Sequence, residues 1–164
     1  MDKYSKKECL EKIGNDGTLD NIDLSELDLR DVDFKGISLK RAKLTSARLN
    51  GANLSGCDLG SADLTFTNLT QGNLENANLS ESNLYNSILQ NTSLKNCDLT
   101  AANLSETDMT EANLSGANLT RADLSQANIS KTNLQGAILD GSNIDKSSMT
   151  KADLDERGAT RLDG

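Results

Sequence analysis

The side chains that could carry chemistry in this chain of 164 residues are carboxylates, hydroxyls, amides, the 17 lysine and arginine cations and three thiols, and the sequence contains no histidine. Without an imidazole, a Ser-His-Asp or Cys-His nucleophile and a histidine metal site are excluded. The sequence also has no Cys-x-x-Cys pair and no glycine motif of the kind that holds phosphates. We therefore expect no catalytic residues, no cofactor and no metal ligands, and predict that the protein is not an enzyme.

The charge balance and the apolar content limit the partners that we expect. The chain has 25 acidic and 17 basic residues, a net charge of −8, whereas a protein that binds nucleic-acid backbones needs a basic surface. No apolar run reaches the length of about 18 residues that a membrane-spanning helix needs. The first residues lack the apolar stretch of a secretory signal, and the cysteine count is odd, so we expect a cytoplasmic location without nucleic-acid or membrane contact.

A repeat of five residues occupies most of the chain. Every fifth residue from Leu24 to Leu154 is large and apolar, and most of these residues are leucine. The residue two positions earlier is usually small, and the residue between the two is usually Asn or Asp. The unit therefore reads A-(N/D)-L-x-x, as in GANLS at 51–55 and RADLS at 121–125.

This spacing suits neither a helix nor a straight strand. Five residues of α-helix turn through about 500°, so successive leucines would lie about 140° apart and form no stripe. In a straight strand, alternate leucines would face water. A short extended segment followed by a corner buries every leucine, and four such sides close a square coil that stacks on its neighbours as a solenoid.

The repeat resembles the pentapeptide repeat family, whose unit is A(D/N)LXX, over residues 19–155. The resemblance implies an all-β fold, a right-handed quadrilateral parallel β-helix of about seven coils. We divide the chain into an N-terminal helical cap at 1–18, the β-helix at 19–155 and a C-terminal tail at 156–164.

The cap is predicted from a helix over residues 5–13. Ser5 and Glu8 have the spacing of a capping box, and Tyr4 and Cys9 have that of a hydrophobic staple. Cys9, Leu10 and Ile13 are predicted to form its apolar face. The helix would cover the first coil, or alternatively bind a partner.

The C-terminal tail breaks the five-residue register. It could cover the last coil, or it could leave the apolar residues Ile144, Met149 and Leu154 for pairing with a second subunit. Because members of the family often dimerise through an end, a monomer and an end-to-end homodimer both stay open.

Charge is distributed unevenly along the repeat. Residues 30–48 have a net charge of +4, and residues 49–120 have a net charge of −7. Ion pairing on a solvated wall and a basic collar are both open for the first segment. The acidic segment is relevant because quinolone-resistance proteins of this family are acidic rods that resemble DNA. They occupy the DNA-binding saddle of type II topoisomerases. A topoisomerase-binding DNA mimic is therefore our alternative to a non-enzymatic structural or protein-interaction module with an unknown protein partner.

Three large side chains interrupt an otherwise polar wall. Phe66 falls at a corner, Tyr85 falls one coil above its neighbour Thr65, and Ile88 replaces the usual Asn or Asp on the next side. Contiguous apolar patches mark contact sites. Phe66, Tyr85 and Ile88 are our candidate partner contacts, against the alternative of ordinary surface scatter. Ile138 is a second apolar departure, on the opposite side.

We predict structural rather than chemical roles for one column of cysteines and one column of asparagines. Cys57 and Cys97 lie two coils apart, about 9.6 Å, which is beyond the roughly 7 Å between Cα atoms that a disulfide spans, so we expect buried thiols. Asn side chains recur in a second column and are expected to stack as an amide ladder rather than to bind calcium. That column contains Asn53, Asn73, Asn113 and Asn133.

Overall fold

The computed structural model describes residues 3–15, 17–148, 156 and 158–160. Within these residues the longest helix is α1, at Lys6–Asn15, and a solenoid follows it. The coils are joined by parallel β-bridges, each formed by one pair of residues. The described residues form no β-strand that is longer than one such bridge. The prediction of a stacked β-helical solenoid behind a short helix is confirmed, and the handedness of the coil stays a prediction.

Each bridge on the repeat joins residues that are 20 positions apart, and each coil has four bridged faces. We number the faces in chain order by their first repeat residue: face 1 from Thr18, face 2 from Asp23, face 3 from Asp28 and face 4 from Asp33. On face 2 the N-terminal residue Lys3 pairs with Asp23, and the column then runs without a break to Asn143. Four sides of five residues therefore make one coil.

The corners between faces are tight turns with a left-handed residue. At the corners from Leu24 to Ser147 the N–H of the residue three positions on donates to a leucine-position carbonyl, as Ala77 does to Leu74 at 3.0 Å. Every fifth residue from Asn21 to Lys146 has a positive φ, including Ala101 at 55°. A positive φ at the third residue is the mark of a type II turn. At Gly51 a side chain would also collide with the carboxylate of Asp31.

Asn and Asp precede the leucines because their side-chain oxygens bind the corner. The Oδ1 atom accepts the N–H of the residue two positions on, for example from Glu75 to Asn73 at 3.0 Å. Asn and Asp favour this local bond because their oxygen mimics a backbone turn. In the column where we expected an amide ladder, Asn53 Nδ2 also donates along the axis to Asp33 Oδ1 at 2.8 Å. Corner binding, which the sequence argument missed, is the role that recurs on all four faces.

The core consists of stacked leucines and small residues. The leucine-position side chains from Leu19 to Leu139 are buried. Cys57 and Cys97 are free, buried thiols, and they donate to the carbonyls of Phe34 at 2.9 Å and Leu74 at 2.8 Å. Burial raises the pKa of Cys57 to about 11 and that of Cys97 to about 12. The prediction that they are core thiols is confirmed.

Helix α1 begins with the predicted capping box. The backbone N–H of Ser5 donates to Glu8 Oε2 at 2.7 Å, and the N–H of Glu8 donates to Ser5 Oγ at 3.3 Å. Cys9 is fully buried, and Tyr4 and Ile13 pack against the core. Leu10 is 45% exposed, so its assignment to the apolar face was wrong. It follows Cys9 directly, and a helix turns by about 100° per residue, which carries the side chain off that face.

The C-terminal tail returns to face 1. Thr160 pairs with Ile138, 22 residues earlier, and the N–H of Leu139 donates to Thr160 O at 2.8 Å. The tail therefore covers the end of this face, and Ile144 is partly buried against the core. Met149 and Leu154 lie outside the described residues. The end-to-end dimer stays a prediction. No described helix has the length and apolar content that crossing a membrane would require.

Two buried serines offer a matched test of the core. Ser82 Oγ donates to Leu79 O at 2.6 Å, whereas Ser87 Oγ is buried without a partner. A buried hydroxyl without a partner costs about 1–3 kcal/mol, and a typical hydrogen bond contributes about 1 kcal/mol. We expect Ser82→Ala to lower the free energy of unfolding by about 1 kcal/mol, and Ser87→Ala to leave it unchanged or raise it. Urea denaturation of the two variants checks this, and an equal loss in both would contradict it.

Candidate protein-interaction surface

The corner between faces 2 and 3 carries an aromatic pair, of which Phe66 is exposed and Tyr85 is partly buried. The ring centroids of Phe66 and Tyr85 lie 5.7 Å apart with an interplanar angle of 83°, an edge-to-face contact. Phe66 is 53% exposed. The pair adds about 0.5–1.5 kcal/mol beyond area burial, so the two rings form one surface feature. We call the set Phe66, Tyr85, Ile88 and Glu106 the aromatic corner.

The backbone fixes where both rings lie. Phe66 has φ 58°, in the left-handed region, which costs an ordinary L-residue about 1–2 kcal/mol. Its N–H donates to Tyr85 O at 3.0 Å, and the N–H of Tyr85 donates to Asn83 Oδ1 at 3.1 Å. The ladder and the corner bond therefore set the two aromatic residues one coil apart.

A carboxylate that the sequence argument missed holds the Tyr85 hydroxyl. Tyr85 Oη donates to Glu106 Oε2 at 3.1 Å, and Asn86 Nδ2 donates to the same oxygen at 3.3 Å. This bond to Glu106 raises the pKa of Tyr85. The signal was present in the sequence, because Phe66, Asn86 and Glu106 follow one another at intervals of 20 residues, the length of one coil.

Ile88 lies on face 3, beside this corner. It is bridged to Asn68 below and Asp108 above, and its side chain is 39% exposed. Among the described residues the other exposed large hydrophobic side chains are on α1 and on face 1, at Leu10 and Ile138. The structure thus brings Phe66 and Tyr85 into contact and places Ile88 on the adjoining face. Their role as partner contacts stays a prediction.

The basic segment at residues 30–48 is engaged in part in ion pairs. Arg30 binds both carboxylate oxygens of Asp28, at 2.7 and 2.6 Å, and Arg48 lies 3.8 Å from the same carboxylate. Lys43 lies 3.8 Å from Asp23. The hydrogen bond from Arg30 lowers the pKa of Asp28. These ion pairs favour charge pairing on a solvated wall over a basic collar, because the paired cations are already partly neutralised. Each exposed pair contributes about 0–1 kcal/mol to stability.

The acidic segment at residues 49–120 is spread around the coil. Its carboxylates fall on faces 1, 2 and 3 and at all four corners, with Asp63 on face 2 and Asp108 on face 3 as examples. The described part of the chain contains no group of three or more Cys, Asp or Glu side chains able to hold a metal ion. The segment therefore gives the wall a diffuse negative field rather than one acidic stripe.

The family profile of pentapeptide repeats matches the chain at residues 22–60, 57–96, 77–116, 97–136 and 117–156. The chain belongs to the pentapeptide repeat family. Proteins of this family are generally structural or interaction modules rather than enzymes. The search of curated proteins gave no match.

Several solved structures of the family are similar to this chain. HetL, from the cyanobacterium Nostoc sp. strain PCC 7120, is involved in regulating heterocyst differentiation, and it is 26% identical over 88% of this chain and 70% of its own, with a TM-score of 0.40. QnrB1, a plasmid-mediated fluoroquinolone resistance protein, is 21% identical over 89% and 80%, with a TM-score of 0.47. A protein of the Arabidopsis thaliana thylakoid lumen is 23% identical over 85% and 74%, with a TM-score of 0.34.

Hydrogen-bonded aspartates should make the solenoid sensitive to acid. Burial raises the pKa of Asp63, but bonds from Thr65 and Thr45 and the charge of Lys43 outweigh burial, so the net shift is downward. The pKa of Asp23 is lowered by its bonds to Ser25. A carboxylate with a lowered folded-state pKa stabilises the fold above its unfolded-state value of about 3.9, and this contribution disappears as the pH falls through the folded-state value.

We expect the free energy of unfolding to fall as the pH drops below about 4, as measured by urea denaturation at each pH. In Asp63→Asn the amide oxygen can still accept the N–H of Thr65, but the group no longer titrates. The variant should therefore lose less stability than the parent over the same interval. An identical loss in the two proteins would show that Asp63 does not contribute to the acid response.

Proposed function

We propose that this protein is a non-enzymatic interaction module that binds a protein partner through the aromatic corner. The observation that carries the proposal is the contact between the exposed ring of Phe66 and the partly buried ring of Tyr85 on one corner of the coil. The left-handed φ is shared by every fifth residue from Asn21 to Lys146, and at the other corners this residue is Gly, Ala or polar. The aromatic side chain, rather than the backbone conformation, is therefore what distinguishes Phe66.

The shape of the solenoid supports binding at a wall. The right-handed coil that the family resemblance implies would present flat faces without inserted loops. Aromatic residues are enriched in protein interfaces, where they bury large areas at a small loss of side-chain entropy. The edge-to-face pair, with Phe66 exposed and Ile88 beside it, supplies such an anchor on a wall that is otherwise polar.

The charge supports a basic partner in a reducing compartment. Residues 49–120 surround the aromatic corner with a net charge of −7. A field of one sign attracts surfaces of the opposite sign and raises the association rate. Cys9, Cys57 and Cys97 are free and buried, which supports the cytoplasmic location that we propose for the module.

Partner capture with matched variants tests the proposal. The protein is immobilised as the parent, as Phe66→Ser/Tyr85→Ser/Ile88→Asn, and as the control Leu10→Ser/Ile138→Asn, which removes exposed apolar side chains elsewhere. We expect a protein that the parent and the control retain to an equal extent, and that the corner variant loses by at least about tenfold. Quantitative mass spectrometry measures retention, and circular dichroism confirms that all three are folded. Equal retention by the corner variant would reject the site.

The acidic segment favours a second candidate, a mimic of DNA that binds a type II topoisomerase. The net charge of −7 over residues 49–120 suits a groove that normally holds DNA. Against it, the carboxylates occupy all four corners and three of the faces rather than a phosphate-like row.

A supercoiling assay separates the two candidates. DNA gyrase is titrated with the protein at micromolar concentrations, with and without a fluoroquinolone. If the interaction-module proposal holds, we expect no change in supercoiling and no protection from the drug, even at a large excess of protein. If the parent protein instead inhibits gyrase or protects it from the drug, the variant Phe66→Ser/Tyr85→Ser/Ile88→Asn is tested in the same way. An effect that this variant retains would assign the function to the acidic segment.

A further inference from the structure

Glu106 is an exposed carboxylate with one oxygen committed to the aromatic corner. Both Tyr85 Oη, at 3.1 Å, and Asn86 Nδ2, at 3.3 Å, donate to its Oε2 atom. Within the described residues, Glu106 makes no ion pair and Oε1 receives no hydrogen bond. The carboxylate is thus oriented by two neighbours and keeps an oxygen and a full charge for another group.

The rings beside this carboxylate are also suited to a cation. The face of an aromatic ring is electronegative, and it attracts a guanidinium or ammonium group within about 6 Å of the centroid. Phe66 and Tyr85 lie at 83° to each other, 5.7 Å apart, so they present faces in two directions. The Tyr85 hydroxyl connects this pair to Glu106, so rings and carboxylate form one continuous site.

Among the residues that the structure describes, no cation lies along this corner near Glu106. Lys95 is the one basic residue between 49 and 120, and it falls at the corner between faces 4 and 1. On the corner of Phe66, the next basic residue is Lys146, two coils beyond Glu106 and about 10 Å away. By contrast, exposed Glu111 has Lys131 at 2.9 Å. The charge at Glu106 is therefore available to a partner.

We propose that the aromatic corner is a binding site for an arginine side chain of the partner, with the guanidinium stacked on the rings and paired to Glu106. The inference rests on the proposed function and names the chemistry of the group that the corner takes. Arginine fits better than lysine because its planar group stacks on a ring while it donates two parallel hydrogen bonds to a carboxylate. A lysine ammonium can make one of these contacts well but not both.

The test uses the whole protein and small probes, so it does not depend on finding the partner. N-acetyl-arginine amide is titrated into isotope-labelled protein, and backbone amide shifts are followed by NMR. N-acetyl-citrulline amide is the neutral control of nearly equal shape, and N-acetyl-lysine amide tests the preference. We expect saturable shifts centred on Phe66, Tyr85 and Glu106 with the arginine probe, at least about fivefold weaker binding of the lysine probe, and no saturable binding of the citrulline probe.

Two charge variants locate the site. Glu106→Gln keeps an oxygen that accepts the Tyr85 hydroxyl but removes the charge, and it should weaken arginine binding at least about fivefold. Glu81→Gln is the matched control, because Glu81 is an exposed corner carboxylate on another edge that accepts a bond from Ser61 at 3.3 Å. It should leave binding unchanged. Phe66→Ser should abolish the saturable shifts.

Three results would overturn the inference. Equal shifts with the citrulline probe would show that charge is not recognised. Equal weakening by Glu106→Gln and Glu81→Gln would assign binding to the general negative field. Equal binding of the lysine and arginine probes would remove the stacking argument. Any of these would leave the proposed interaction function standing if partner capture still depended on Phe66, Tyr85 and Ile88, so the two failures are distinguishable.

Discussion

The left-handed residue at every fifth position is the constraint on which the rest of the structure depends. It turns the chain sharply enough for the next leucine to point inward again. The Asn or Asp before each leucine stabilises that turn by accepting the N–H two residues on, as Asn103 does from Ser105. Because the turns repeat without an insertion, residues 20 positions apart always come into register. Burial, ladder and surface all follow from this local geometry.

Register also explains how a chain without a cleft can build a specific surface. Phe66, Asn86 and Glu106 are distant in sequence, but they stack on one corner because the coil length is constant. Tyr85 connects the first and last of them through its ring and its hydroxyl. The solenoid thus converts a periodic sequence into a wall whose individual positions can vary independently. The left-handed residue of each corner is exposed, so its side chain can differ from coil to coil without entering the core.

The sequence was sufficient to predict the elements that depend on period alone. The five-residue spacing led to the solenoid, and the spacing of Ser5 and Glu8 led to the capped helix, because each is a local pattern with one good solution. The contact between Phe66 and Tyr85 followed from the coil length. Glu106 was missed because only apolar side chains were compared on this wall, whereas Glu106 is a carboxylate one coil above Tyr85 that accepts its hydroxyl. Leu10 was misplaced because apolar character was weighed above its angle on the helix.

The uniform bridges between neighbouring coils have a mechanical consequence. In the described part of the solenoid, the bridges that hold a coil are single-residue bridges to its neighbouring coils. Force applied to the two ends would therefore load one terminal coil at a time, instead of shearing a whole sheet at once. Each coil released would lengthen the chain by about 65 Å, since extended residues span about 3.4 Å each. A solenoid of this kind unspools from its ends, and its resistance to pulling is that of a single coil, however many coils the chain contains.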